Sequence, residues 1–421
     1  LTLRRPRAHP AAVLNWIWAA FFFIAFAAAL MQAATGAKPD AMKDVVAALF
    51  DSSKTGFEIA LGLTGVMGLW LGLMRVAEKG GITETIARVV GPLFRRLFPG
   101  IPDGHPASGA IVMNRSANML GLDNAATPLG LKAMKELQAL NPEPDRATDE
   151  MVLFTVMNAS SVTLVPITIM TFRAQMGAAN PADVFVPILI ATYVADVFGL
   201  LLVASIQKLN LWNRVVLGWI GGLTLAVAGL VWHFSRLGPD AVAQQSAMLA
   251  NTILIGLVAL FLIAGARRKV PVYEVFVEGA KEGFQVAIGI VPFLVAMLVA
   301  VGVLRASGAL EALLDAIRAG VGQLAMDTRW VDGLPTAIIK PLSGSGARGM
   351  MVETMKTLGA DSFGGRLACV IQGSTETTFY VLAVYFGSVG VKKTRHAVGC
   401  ALAAEVAGVI AAIFVTYLFF G

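Results

Sequence analysis

Charge is scarce in this 421-residue sequence: 14% of its residues are Asp, Glu, Lys or Arg, 57% are hydrophobic, and the mean hydropathy is +0.72. That excludes an ordinary soluble enzyme and a disordered chain. Cysteine is scarce as well. Cys369 and Cys400 fall in apolar runs with no His or Cys at metal-ligand spacing, so they read as packing residues, with no disulfide and no metal site. His9, His105, His233 and His396 are scattered, which suits structural or interfacial roles. There is no HExxH, no GxSxG, no serine with an obvious histidine partner and no GxxxxGK[ST] phosphate loop. The chain is therefore expected not to be an enzyme, to carry no cofactor and not to be driven by ATP. The formal charge of +6 lacks the interleaved basic and aromatic residues of a nucleic-acid surface. It reads instead as basic cytoplasmic loops on a membrane protein.

Apolar runs long enough to cross a bilayer lie near 12–34, 57–76, 151–172, 184–206, 213–234, 247–265, 284–304, 366–387 and 397–420. The first follows "LTLRRPRAHP" but is too long for a signal-peptide core and is rich in Trp and Phe, so it reads as an uncleaved transmembrane helix. The intervals 77–150 and 305–365 hold amphipathic stretches and broken apolar pieces, "ASGAIVMNRSANML" and "GLPTAIIKPLSGSG". Re-entrant hairpins fit these best. With a cytoplasmic N-terminus, the clusters Arg4–Arg5–Arg7, Arg88–Arg95–Arg96, Arg267–Arg268–Lys269 and Lys392–Lys393–Arg395 all fall inside. Arg173 and Arg236 are single exceptions. The C-terminus then lies outside. The expected fold is an all-α polytopic membrane protein with about nine transmembrane helices plus re-entrant hairpins.

The halves repeat. "GFEIALGLTGVM" from Gly56 matches "GFQVAIGIVPFL" from Gly283, and "ATPLGLKAMKEL" (126–137) matches "ARGMMVETMKTL" (347–358). "FTVMNASSVT" from Phe154 matches "LACVIQGSTET", with Asn158 opposite Gln372 and Ser160 opposite Ser374. "ATYVADVFGLL" matches "CALAAEVAGVI", with Asp196 opposite Glu405. The matched spans at 57–76 and 284–304 run in opposite directions, so the repeats are inverted. The expected division is 1–207, a connecting helix within 208–246, and 247–421.

The polar residues fall at matched places. "NRSANMLGLDNAATPLG" (114–130) contains a helix start that Asn124 or Thr127 could cap, with Pro128 suited to the first turn. In the second repeat, Ser343 and Ser345 could cap the matching start, with Arg348 in the first turn facing Glu376 or a substrate carboxylate. Helix starts at mid-membrane expose N–H groups to an anion. "MNASSVT" and "IQGSTETT" lie near the middle of their spans, where polar groups are costly unless they line a cavity or bond one another. The expected site combines Asn114, Asn118, Asn124 and Thr127, then Ser343, Ser345 and Arg348, then Asn158, Ser160, Gln372, Ser374 and Glu376. Asp196 and Glu405 are candidates for coupling to a proton or sodium; the competing reading is an internal ion pair with Arg115, Lys340 or Arg348. Arg115 and Asp123 could also pair with each other.

These same motifs carry a resemblance. "NRSANMLGLDNAATPLGLKAMKEL" resembles the signature of spore maturation protein A. "KPLSGSGARGMMVETMKTLG" with "IQGSTETTFYVLAVYFG" resembles spore maturation protein B. Together they cover about 12–207 and 247–421. The resemblance implies a fusion of the two in one nucleoside-recognition, or Gate, protein, with relatives among parts of concentrative nucleoside transporters and ferrous iron permeases. Fused versions are widespread in bacteria that make no spores, and the nucleoside label does not establish a substrate. The expected function is secondary transport of a small polar, anionic organic solute in the bacterial cytoplasmic membrane. The alternatives are a nucleoside transporter and a non-transporting scaffold or sensor. The expected partners are that solute and the lipid bilayer, with no nucleic acid; a monomer and a homodimer are both compatible.

Overall fold

The computed structural model describes residues 10–120, 123–160, 163–164, 166–325 and 327–421, with the backbone alone at 10–14, 123–125, 239–240 and 243. Apart from one isolated bridge, Arg146 to Lys393, the regular elements among these residues are helical. Eight of the described helical segments are long and apolar enough to cross a membrane. The protein is an all-α, multi-pass membrane protein.

Helix α1 (Pro10–Thr35) leads into α2 (Ala41–Lys79). The 39 residues of α2 span roughly 58 Å at about 1.5 Å per residue, far more than a hydrocarbon core of about 30 Å. The amphipathic α3 (Ile82–Leu97) buries Val90, Phe94 and Leu97 and exposes Arg95 and Arg96. A hairpin follows, made of α4 (Pro106–Met119) and α5 (Asp123–Ala139). At 14 and 17 residues, its arms reach roughly 21 and 26 Å, too short to cross. The run at 151–172 is broken into α6 (Asp149–Ala159) and α7 (Ile167–Gln175), and α8 (Phe185–Gln207) closes the first repeat.

The connector is α9 (Arg214–Val216), a π-helical turn at Leu217–Gly221 and α10 (Gly222–Phe234). Next come α11 (Pro239–Arg267), the long α12 (Val272–Ala306) and the amphipathic α13 (Ala309–Gly322). The second hairpin is a 3₁₀ turn at Arg329–Gly333 running into α14 (Leu334–Ile339), then α15 (Gly344–Leu358). The run at 366–387 is broken into α16 (Phe363–Ser374) and α17 (Thr378–Ser388), and α18 (Ala397–Phe420) ends the chain. Element for element, α12 to α18 repeat α2 to α8.

The repeats interlock through small residues. A β-carbon on Gly283 would lie 2.6 Å from the Gly68 backbone, and one on Gly56 would lie 3.1 Å from the Val295 backbone. Gly56 and Gly283 are equivalent positions, and so are Gly68 and Val295, so the α2–α12 contact is reciprocal. The α8–α18 contact is reciprocal too. Gly199 meets Ala404, and its equivalent Gly408 meets Ala195, both at 3.1 Å from the added carbon. Close backbone approach of this kind, set by glycine and alanine, is how helices associate where no water drives them together.

The isolated charges that break the basic-loop pattern are satisfied locally. Arg173, completely buried, reaches Asp183 at 2.8 Å and Asp361 at 2.9 Å, and donates to the Ala360 carbonyl at 2.6 Å. Arg236 stacks 4.2 Å over the Trp232 ring.

Candidate functional site

Both broken helices stop where their sequence turns polar. Helix α6 ends at Asn158–Ala159, and Pro166 caps the start of α7, where a missing N–H and a fixed φ oppose a continuous helix. Helix α16 ends at Ser374, and Thr375 is fully extended (φ −147°, ψ 169°) before α17 begins. The breaks meet: Glu376 N–H donates to Ala159 O at 2.8 Å, so one interruption terminates the other. Each break also bonds to the turn of its own hairpin, Leu164 N–H to Met119 O at 2.8 Å and Phe379 N–H to Pro341 O at 3.0 Å. The backbone groups that the breaks release thus find one another, as apolar surroundings require.

Between these breaks and the hairpin turns lies a cavity of about 750 Å³. The first repeat contributes Asn118, Thr127, Asn158 and Thr163; the second contributes Lys340, Ser343, Ser345, Arg348, Gln372 and Glu376. Asn118 donates to Asn158 Oδ1 at 2.8 Å, and the Tyr385 hydroxyl lies 3.3 Å from the same oxygen. Ser343 caps α15 as expected, accepting from Gly346 N–H at 2.9 Å, and its hydroxyl lies 3.2 Å from that of Ser345. Lys340 donates to Gln372 O at 2.8 Å. Gln372 and Thr375 are buried, and Gln372 Oε1 and Thr375 Oγ1 have no hydrogen-bond partner among the described residues.

Several expected residues sit elsewhere. Asn114 is buried behind the wall, donating to Ala126 O at 2.8 Å and lying 3.4 Å from the Tyr385 hydroxyl. Ser160 and Ser374 point their hydroxyls at their own helices, to Val156 O at 3.0 Å and Ile371 O at 2.8 Å. In-helix bonds of this kind compete with service to a ligand. Thr127 lines the cavity but lies within α5 rather than at its cap. The Asn124 and Asp123 side chains lie outside the described residues, so the expected cap and the expected Arg115–Asp123 pair do not enter the description. Arg348 forms no ion pair with Glu376 among the described residues; its Nε donates to Gly344 O at 3.3 Å, and its guanidinium borders the cavity.

Asp196 and Glu405 occupy equivalent positions but do not line the cavity, and their surroundings differ. Asp196 faces Arg115 of α4 at 3.1 and 3.2 Å, and Ser160 Oγ lies 3.1 Å from its Oδ1. Arg115 also donates to Met157 O near the end of α6. Glu405, 3% exposed, receives the Thr378 hydroxyl at 2.6 Å on Oε2, while its Oε1 is buried without a hydrogen-bond partner among the described residues.

Tyr380, Tyr385 and Lys340 are among the lining residues absent from the site expected from sequence.

The model of the Gate family, described as nucleoside recognition, matches residues 60–176 and 287–392, the segments that hold both hairpins and both broken helices. The chain belongs to the Gate family. Spore maturation protein B of Bacillus subtilis (strain 168) is 47% identical over 165 residues, 39% of this chain and 91% of that protein. Spore maturation protein A of the same organism is 35% identical over 190 residues, 45% of this chain and 93% of that protein. This Gate protein is thus similar to both, in agreement with a fused A/B chain. No solved structure matches it. Family, fold and cavity together describe a transporter-like membrane protein.

Proposed function

We propose that this protein is a secondary transporter of a small anionic organic solute, which binds in the cavity between the inverted repeats. The observation that carries the reading is the joint lining of that cavity by both repeats, at the meeting point of two broken helices. Its volume of about 750 Å³ suits a small molecule. Lys340 and Arg348 supply two cations against the single carboxylate of Glu376 among the described lining residues. The start of α15 adds backbone N–H groups and the positive end of a helix dipole. The basic loops support a cytoplasmic membrane location with the N-terminus inside and the C-terminus outside. A proton or sodium gradient is the driving force in this reading.

The family description supports a second reading, a nucleoside as cargo. One experiment separates the two. Purified protein in detergent is screened by thermal shift against nucleosides, amino acids, dicarboxylates and aromatic carboxylates, with and without sodium and at acid and neutral pH. A ligand that binds only the folded state raises its apparent stability. A carboxylate that stabilises the wild type but not Arg348→Ala supports the anion reading; a neutral nucleoside that still stabilises Arg348→Ala supports the other. Silence across the panel from folded protein favours a scaffold or sensor.

A further inference from the structure

Transporters built from inverted repeats often use equivalent residues alike. Here the two mid-helix carboxylates are not alike. Asp196 is held by a buried arginine that neutralises it and by a serine hydroxyl close at hand. Glu405 stands at the matching place on α18, and the segment that repeats α4, residues 329–340, holds Lys340 as its only cation apart from Arg329 at its start. Lys340 plays the backbone part that Arg115 plays in the first repeat: it donates to Gln372 O near the end of α16, as Arg115 does to Met157 O near the end of α6. It also borders the cavity. Glu405 does not border it; one of its oxygens takes the Thr378 hydroxyl and the other has no hydrogen-bond partner among the described residues, with 3% of the residue exposed.

We propose that Glu405 is a proton-binding site that couples solute binding to proton uptake, and that Asp196 is a structural group tied into an ion pair with Arg115. The proposal rests on the transport reading above. Its chemistry is simple. A carboxyl carbonyl tolerates an unpaired oxygen in an apolar setting far better than a carboxylate does. The charged groups that act on Glu405 are Lys340 and Glu376, of opposite sign. Of the helices packed against α18, α8 presents Asp196, already tied to Arg115, and α17 presents the Thr378 hydroxyl. Helix α16 carries its one charged residue, Arg366, in its first turn, paired with Asp183, and α6 and α11 place their charged residues at their ends. An anion seated against Lys340 and Arg348 offsets the positive charge that favours a Glu405 carboxylate. The carboxylate then takes a proton from water, and anion and proton occupy the protein together. On release of the anion, the proton returns to water.

The test needs no substrate. Full-length protein in lipid nanodiscs is examined by infrared difference spectroscopy across pH, reading the carbonyl stretch of protonated carboxyl groups at about pH 6, where exposed carboxyls are ionised. The expected result is a partial band in solute-free wild type that grows as the pH falls, is lost in Glu405→Gln and is retained in Asp196→Asn. Thr378→Val, which removes one hydroxyl, should shift the band's frequency. Lys340→Met should increase its intensity at the same pH. A band that survives Glu405→Gln, or a wild type with none, overturns the proposal while leaving solute binding in the thermal-shift screen untouched. Loss of the band on adding sodium at constant pH would also overturn it, by identifying the site as one for a metal cation.

Discussion

Arg115 and Asp196 lie 81 residues apart in the chain and 3.1 Å apart in the fold, with Arg115 also donating to the carbonyl of Met157. One guanidinium thereby ties the first hairpin to α6 and α8. Removing it leaves a buried carboxylate unmatched, which costs about 3–5 kcal/mol. Arg115→Met should therefore lower the thermal unfolding midpoint sharply. The double variant Arg115→Met/Asp196→Leu should recover most of the loss, because no charge is then stranded. Unfolding followed by tryptophan fluorescence in detergent checks both.

Gly283 gives the sharpest steric prediction. Its position leaves no room for a side chain against the backbone of Met67 and Gly68, which a β-carbon would approach to 2.6–2.8 Å. Backbone cannot move aside as a flexible side chain can. Gly283→Val should cost about 1–3 kcal/mol, the usual range for overpacking, whereas Gly289→Ala, with open space around it, should be silent. The yield of monodisperse protein on size exclusion is the readout.

Arg173 is fully buried among Asp183, Asp361 and the Ala360 carbonyl, and Arg366 meets the same two aspartates at 2.9 and 3.7 Å. Arg173→Met should destabilise by about 3–5 kcal/mol. Asp361→Asn should cost less, because its carboxylate is partly exposed and Asp183 still faces both arginines. Thermal unfolding at low and high salt distinguishes them, since salt screens the exposed member more.

His396 precedes α18, and its ring lies 3.1 Å from the Gln207 amide nitrogen. Burial and the neighbouring Arg395 hold it below its ordinary value of 6.5. The folded state therefore binds this proton less readily than the unfolded chain. The stabilisation is complete above 6.5 and is lost as pH falls through the lowered value of the folded state. The wild-type unfolding midpoint should drop between about pH 7 and about pH 5, and the drop should be smaller in His396→Gln.

Arg348 lies one turn into α15 at the edge of the cavity, with no carboxylate partner among the described residues. If it holds the solute's charge, Arg348→Ala loses a charged hydrogen bond of about 1.5–3 kcal/mol, which weakens binding roughly tenfold to over a hundredfold. Arg348→Lys should retain part of the affinity, since the charge remains while the planar fork is lost. Isothermal titration with the ligand found by thermal shift measures the ratio.

Much of this architecture was readable along the chain. Asn158, Ser160, Gln372 and Ser374 mark the ends of broken helices because uncompensated polar residues do not persist at the middle of a span. Gly56 and Gly283 marked equivalent positions of the two repeats by matching each other. What could not be read was direction in space. Asn158 and Ser160 are two residues apart, yet one faces the cavity and the other turns to its own helix and to Asp196. Arg115 was one of three cations open to Asp196, and only the fold brings its side chain to that carboxylate. Arg348 was expected to face Glu376 or a substrate carboxylate; its Nε donates to Gly344 O, and no ion pair with Glu376 forms among the described residues. The full lengths of α2 and α12 also escaped, because their charged ends, such as "AMKDVVAALFDSSKTG", dilute the apolar signal.

The reciprocal contacts of α2 with α12 and of α8 with α18 have a consequence for how such a protein is made. Each half presents a groove that only the other half fills, so neither is a finished object in the bilayer. A cell that makes the halves as two products must match their dosage and dispose of any surplus. Joining them through α9 and α10 fixes the ratio at one to one and makes assembly independent of expression level. Cutting the chain in that connector and coexpressing the pieces should therefore restore the same molecule, whereas either piece alone should be cleared by membrane proteolysis.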